Sequence, residues 1–218
     1  MAGCLSVIGA RKALYSTIIM AIDTKPILDA ALQVLRSGGV ILYPTDTIWG
    51  LGCDATNPDA VARIFQIKKR PEAKSLVLLA SDLDMVAKYI KVVPNIAIDL
   101  VEVNDRPMTI VYPGAITSTV PDRHYIAHNA VAEDGSVGIR IPMNEFCVDL
   151  ARKLGRPIVS TSANISGEPS PEVYADIPQE IRDAVDYIVP HKLEKDSTGF
   201  ASQIIKVEVD GQVQIIRP

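Results

Sequence analysis

Cysteine is scarce and poorly placed for pairing: the 218-residue chain carries three, Cys4, Cys53 and Cys147, with no CxxC spacing and no adjacent histidine. That excludes a disulfide framework and a zinc module, and it fits a reducing cytoplasm. A GxxxxGK[ST] phosphate loop and a GxSxG nucleophile turn are both missing. His124, His128 and His191 fall in loop-like stretches without metal-ligand spacing, so no protein side chain is expected to bind a metal. Long apolar runs are also missing. Arg11-Lys12 interrupts the apolar patches of residues 1–20, which leaves no signal peptide and no membrane span to expect. There is no internal repeat and no low-complexity tract.

What is present is an ordinary globular composition, with 48% hydrophobic and 22% charged residues and a net charge of −4. The length suits one well-buried domain. The acidic balance argues against a wholly basic nucleic-acid binder but leaves room for a local basic patch. Residues 1–20 read as an extension, with Met20 an alternative start, and residues 21–218 as a single domain.

Apolar spacing predicts helices over 26–37, 58–67, 95–103, 145–154 and about 178–185, with another beginning at Ser81. Apolar or alternating runs predict strands at 40–43, 75–80, 107–112, 137–141, 157–161 and 186–189, and a terminal hairpin turning at Asp210-Gly211. Strands alternating with helices point to an α/β protein with an open mixed sheet. After the buried run Val40–Tyr43, the stretch PTDTIWGLG changes to small, polar residues and reads as a loop. Either it is functional, at the carboxyl end of a strand, or it is an ordinary connection.

Three groups of residues could carry chemistry. Lys68 and Arg70 in IKKRP can share an anion only if the chain is extended after Ile67; otherwise they complement the helix terminus. Ser162 and Asn164, two apart after the strand PIVST, offer a hydroxyl and an amide to phosphate oxygens, or form a serine-rich turn. Arg140 within VGIRIP either faces a ligand or is paired inside the protein. No nucleophile and base can be paired, which suits direct transfer between bound substrates by positioning and charge stabilisation.

YPTDTIWGLGCDA, IKKRP, VGIRIP and PIVSTSANISG, in this order over residues 26–218, resemble the YrdC-like threonylcarbamoyl-AMP synthases. The resemblance implies an open, twisted mixed sheet with flanking helices and a concave face. It implies condensation of L-threonine, bicarbonate and ATP, with Mg²⁺ accompanying ATP, to threonylcarbamoyl-adenylate and pyrophosphate for the tRNA-modification machinery. By the same resemblance Lys68, Arg70, Ser162 and Asn164 form the catalytic, ATP-binding set. Thr45, Arg140, Ser160 and Ser202 lie at threonine, and Ser136, Ser170 and Arg217 near the nucleotide. Two departures stand out: Asp105-Arg106-Pro107-Met108-Thr109 where many relatives carry PGPxT, and Trp49 where a tyrosine is common. The competing expectation is a double-stranded RNA or tRNA-binding module built on Lys68-Lys69-Arg70 and Lys74.

Overall fold

Helix α1 (Lys25–Arg36) forms because Pro26 sits in its first turn and Ile27, Leu28, Ala31, Leu32 and Leu35 recur on one buried stripe. The computed structural model describes residues 23–70, 76–118, 124–194 and 197–218, so the expectations for residues 1–20, Ser75 and Lys74 lie outside it. A left-handed Gly38 closes α1 and returns the chain into β1 (Ile41–Tyr43). The polar stretch that follows does not stay a loop. It turns at Thr45–Ile48 and re-enters the sheet as β2 (Gly50–Gly52), antiparallel to β1, because its glycines permit close strand packing where no β-branched run signalled a strand.

Helix α2 (Pro58–Ile67) starts as its sequence dictates. The Asn57 side chain accepts from the backbone N–H groups of Asp59 and Ala60, and Pro58 occupies the first turn. Then come β3 (Val77–Leu79), α3 (Leu83–Tyr89), α4 (Asn95–Val103) and β4 (Met108–Tyr112). The chain continues through β5 (Val137–Arg140), α5 (Glu145–Leu154, closed by left-handed Gly155) and β6 (Ile158–Ser162). The last elements are α6 (Gln179–Ala184), β7 (Tyr187–Ile188) and the hairpin β8 (Gln203–Val207) to β9 (Val213–Arg217).

The strands form one open mixed sheet in the order β7-β1-β2-β6-β3-β5-β4-β8-β9. Side chains alternate between faces, so the register decides what each face presents. One face sends Leu42, Leu51, Leu78, Ile110, Ile139, Val159 and Ile205 into the larger core beneath α2 and α3. On the other face Tyr43, Leu79 and Ile158 pack under α1 and α5, with Leu28, Leu32, Cys147 and Leu150. The pairs Leu79↔Arg140, Val77↔Gly138, Val77↔Ser160 and Gly138↔Val111 carry this second face past α1 and α5 onto strands that no helix covers among the described residues. That bare stretch holds the site. Several residues at the carboxyl ends of strands reach it: Arg140 ends β5, Ser162 ends β6 and Arg217 ends β9, while Thr45 and Thr47 follow β1.

Candidate active site

A cavity of about 400 Å³ opens on the uncovered face. Its floor comes from alternate residues of neighbouring strands: Gly50 of β2, Ser160 and Ser162 of β6, Val77 of β3, Gly138 and Arg140 of β5, Thr109 and Val111 of β4. Arg70, Arg217 and Arg140 all line it. The nearby buried carboxylate, Asp46, is already paired, which leaves a cavity biased toward anions.

Arg140 answers both alternatives raised by its sequence, being paired within the protein and facing the cavity. Its guanidinium donates from Nη1 to Asp46 Oδ1 and from Nη2 to Thr47 Oγ1 at 3.3 Å. These use two of its five N–H donors. Asp46 Oδ2 accepts the Met143 backbone N–H at 3.0 Å, which fixes the carboxylate from the far side of the pair. Thr45 lies in the adjoining turn, where Oγ1 donates to the Ile48 carbonyl at 2.7 Å and lies 2.8 Å from Thr47 Oγ1. Residues 197–199 strap this turn down: Ser197 Oγ donates to the Thr47 carbonyl, Thr198 N–H to that of Asp46, and Gly199 N–H to that of Thr47.

Lys68 and Arg70 do not leave α2 on an extended chain. Lys68 stays helical, Lys69 takes a left-handed conformation at φ 49°, and the N–H groups of Lys69 and Arg70 bond back to the Gln66 and Phe65 carbonyls. This is a Schellman closure with lysine where glycine is usual. The turn sends Lys68 inward and leaves Arg70 half-buried in the cavity wall. Lys68, 2% exposed, places Nζ on the carbonyls of Ser162 and of Asn164 (2.7 Å) and on Asn164 Oδ1 (3.3 Å). Burial, aided by the nearby Arg70 charge, pushes its pKa down to about 8, so it remains charged at neutral pH. Burial also lowers the pKa of Arg70.

Ser162 and Asn164 do share one side of the chain, but they touch each other first: Ser162 Oγ donates to Asn164 Oδ1. Asn164 Nδ2 donates to the carbonyls of Ile165 (3.1 Å) and Glu168 (2.6 Å), so it braces the loop beneath the cavity and does not line it. Because Lys68 also serves Asn164 Oδ1, the Ser162 hydroxyl can rotate to a ligand oxygen without orphaning that acceptor.

Of the remaining expected residues, Ser160 and Ser170 line the cavity, Ser170 at its exposed rim. Ser202 also lines it, pairing Oγ with Thr109 Oγ1 at 2.7 Å, while Arg217 donates from Nε (2.9 Å) and Nη2 (2.6 Å) to the Ser202 carbonyl. Ser136 is set apart: its hydroxyl and N–H are both bonded to Asp134 Oδ1, and it does not line the cavity. Asp46 and Thr47 lie in the PTDTIWGLG stretch read as either a functional loop or an ordinary connection, whereas sequence reasoning passed over Thr109 and Gly138 as site residues. The signal for the last two was period-2 spacing, since Gly138 precedes Arg140 by two on one strand and Thr109 faces the same side on the next. Trp49 is buried in the cavity wall, its ring 5.1 Å from that of Tyr174.

Fold and site together define an α/β protein with an anion-accepting cavity on the bare face of an open mixed sheet. The chain belongs to the Sua5/yciO/yrdC family, whose model, described as Telomere recombination, matches residues 33–218. It is similar to a threonylcarbamoyl-AMP synthase of Stenotrophomonas maltophilia (strain K279a), 36% identical over 142 residues that cover 65% of this chain and 74% of that protein. It is also similar to P. abyssi Sua5 complexed with L-threonine, at TM-score 0.72 and 28% identity over 86% of this chain and 52% of that one. E. coli YciO matches at TM-score 0.69 and 26% identity over 89% of each chain. The chain thus spans about half the length of the P. abyssi protein.

Among the described residues no group of three His, Cys, Asp or Glu side chains could hold a metal ion, and no helix is long and apolar enough to cross a membrane.

Proposed function

We propose that the chain condenses L-threonine, bicarbonate and ATP to threonylcarbamoyl-adenylate and pyrophosphate, in the cytoplasm, for the machinery that installs threonylcarbamoyladenosine in tRNA. The observation that carries this reading is the division of one cavity. Arg140, steadied by Asp46, offers its remaining donors to a carboxylate, while Arg70, Arg217 and the Ser162 and Ser170 hydroxyls offer cationic and neutral contacts to phosphate. The Stenotrophomonas maltophilia relative is named a threonylcarbamoyl-AMP synthase, and the P. abyssi Sua5 structure is a complex with L-threonine.

The chemistry needs no protein nucleophile. The threonine amine combines with bicarbonate, losing water, to give a carbamate. A carbamate oxygen then attacks the α-phosphorus in line, the bond to the β-phosphate oxygen breaks, and pyrophosphate leaves with that electron pair. Arg140 orients the amino acid; Arg70 and Arg217 offset charge on the phosphates; Ser162 fixes a phosphate oxygen. Lys68 and Asn164 act from below by holding the Ser162–Glu168 loop. Among the described residues the cavity offers hydroxyls but no uncommitted carboxylate, which fits a Mg²⁺ carried on the triphosphate and its waters, where it would neutralise phosphate charge.

The catalytic reading is favoured over the RNA-binding alternative, whose basic cluster is partly committed among the described residues. Lys68 is buried, Lys69 pairs with Glu180 at 2.7 Å, Arg70 turns into the cavity, and Lys74 lies outside the described residues. The test is pyrophosphate release from ATP in bicarbonate buffer with and without L-threonine. Threonine-dependent release, lowered about 100-fold or more in Arg70→Ala with the fold intact, is expected. Release that ignores threonine overturns the reading.

A further inference from the structure

The cavity floor has one point where three methyl groups converge over bare backbone. A Cβ on Gly138 would lie 3.2 Å from Thr109 Cγ2, 3.7 Å from Val77 Cγ2 and 3.9 Å from Val111 Cγ2. Gly138 is not among the glycines with positive φ, so its backbone does not demand glycine. The space above it is what an added side chain would consume. Thr109 divides its functions there, turning Cγ2 toward Gly138 and Oγ1 toward Ser202 Oγ at 2.7 Å. Arg140 projects from the same face two residues along β5, about 6.6 Å away at strand rise.

We propose that Gly138, Thr109, Val77 and Val111 form a seat for the β-methyl of the amino-acid substrate, and that this seat sets selectivity for threonine over serine. The inference rests on the synthase reading given above. With the carboxylate on Arg140, the methyl covers Gly138 and the β-hydroxyl falls toward the Thr109–Ser202 pair. Serine leaves the seat empty, and valine fills it while presenting a methyl to two hydroxyls. A single methyl in an apolar pocket is worth about 10–200-fold in kcat/KM.

Two variants test the seat against L-threonine and L-serine, with kcat/KM read from pyrophosphate release. Gly138→Ala puts the methyl on the protein; Thr109→Ser removes one wall and keeps Oγ1 for Ser202. We expect the wild type to favour threonine about 10-fold or more. In Gly138→Ala the threonine value falls about 10-fold or more while serine stays within about threefold, and in Thr109→Ser the preference narrows about threefold or more. A purely structural fault lowers both substrates together. Preference unchanged in both variants, with an active wild type, overturns the seat and leaves the synthase reading standing. A wild type showing no threonine-dependent release overturns that reading and the seat with it.

Discussion

Arg140 is 4% exposed, and its partner Asp46 is nearly as deep, so neither charge is tolerable alone. Asp46 is therefore the residue on which the carboxylate end of the site depends. Asp46→Asn keeps an acceptor for the Met143 N–H but removes the charge opposite the guanidinium. It should cost about 3–5 kcal/mol of stability by denaturant unfolding. Among molecules still folded, it should raise KM for threonine far more than KM for ATP; equal changes in both would separate Asp46 from the threonine end.

Lys68 makes a second prediction at this scale. Its lowered pKa means that between about 8 and the usual 10.5 the unfolded chain holds a proton that the folded chain has released. Unfolding free energy should then rise with pH across that window, and the rise should vanish in Lys68→Met. Activity should move the opposite way. A neutral amine has two N–H donors for three acceptors, so the Ser162–Glu168 loop loses a bond and turnover declines above about pH 8. A flat wild-type stability profile would mean that Lys68 keeps its ordinary pKa.

At the scale of elements, the end of α2 decides where two cations go. Its Schellman closure, with Lys69 left-handed, separates buried Lys68 from cavity-facing Arg70 within three residues. A non-glycine residue there bears roughly 1–2 kcal/mol of strain. The exposed Lys69–Glu180 pair returns little of it. Lys69→Gly should melt at or above the wild type, and Lys69→Val, β-branched in a left-handed site, well below both. A Val variant as stable as Gly would contradict the closure. This turn was illegible in the sequence, because lysine at that position signals nothing and Pro71 argued for extension. The caps were legible: Asn57-Pro58 and Gly155 act as their residue types dictate.

Across the whole molecule, the period of the apolar pattern was enough to place the helices and most strands, but not which strands pair. The order β6-β3-β5-β4 brings residues from four distant segments onto one floor, and long-range pairing leaves no local signature. Strand β2 escaped notice for the related reason that Gly-Leu-Gly carries little strand propensity of its own. The family resemblance supplied what periodicity could not, by indicating that Arg70, Arg140 and Ser162 belong together; the register puts Arg140 and Ser162 on one face, and the turn after α2 brings Arg70 to it.

The central claim is that this face joins threonine, bicarbonate and ATP. Its most direct test is mass spectrometry of the product formed from L-threonine, ATP and ¹³C-bicarbonate. The account predicts a threonylcarbamoyl-adenylate carrying one ¹³C, absent when threonine is omitted. An adenylate without the label, or none under any amino acid, would contradict it.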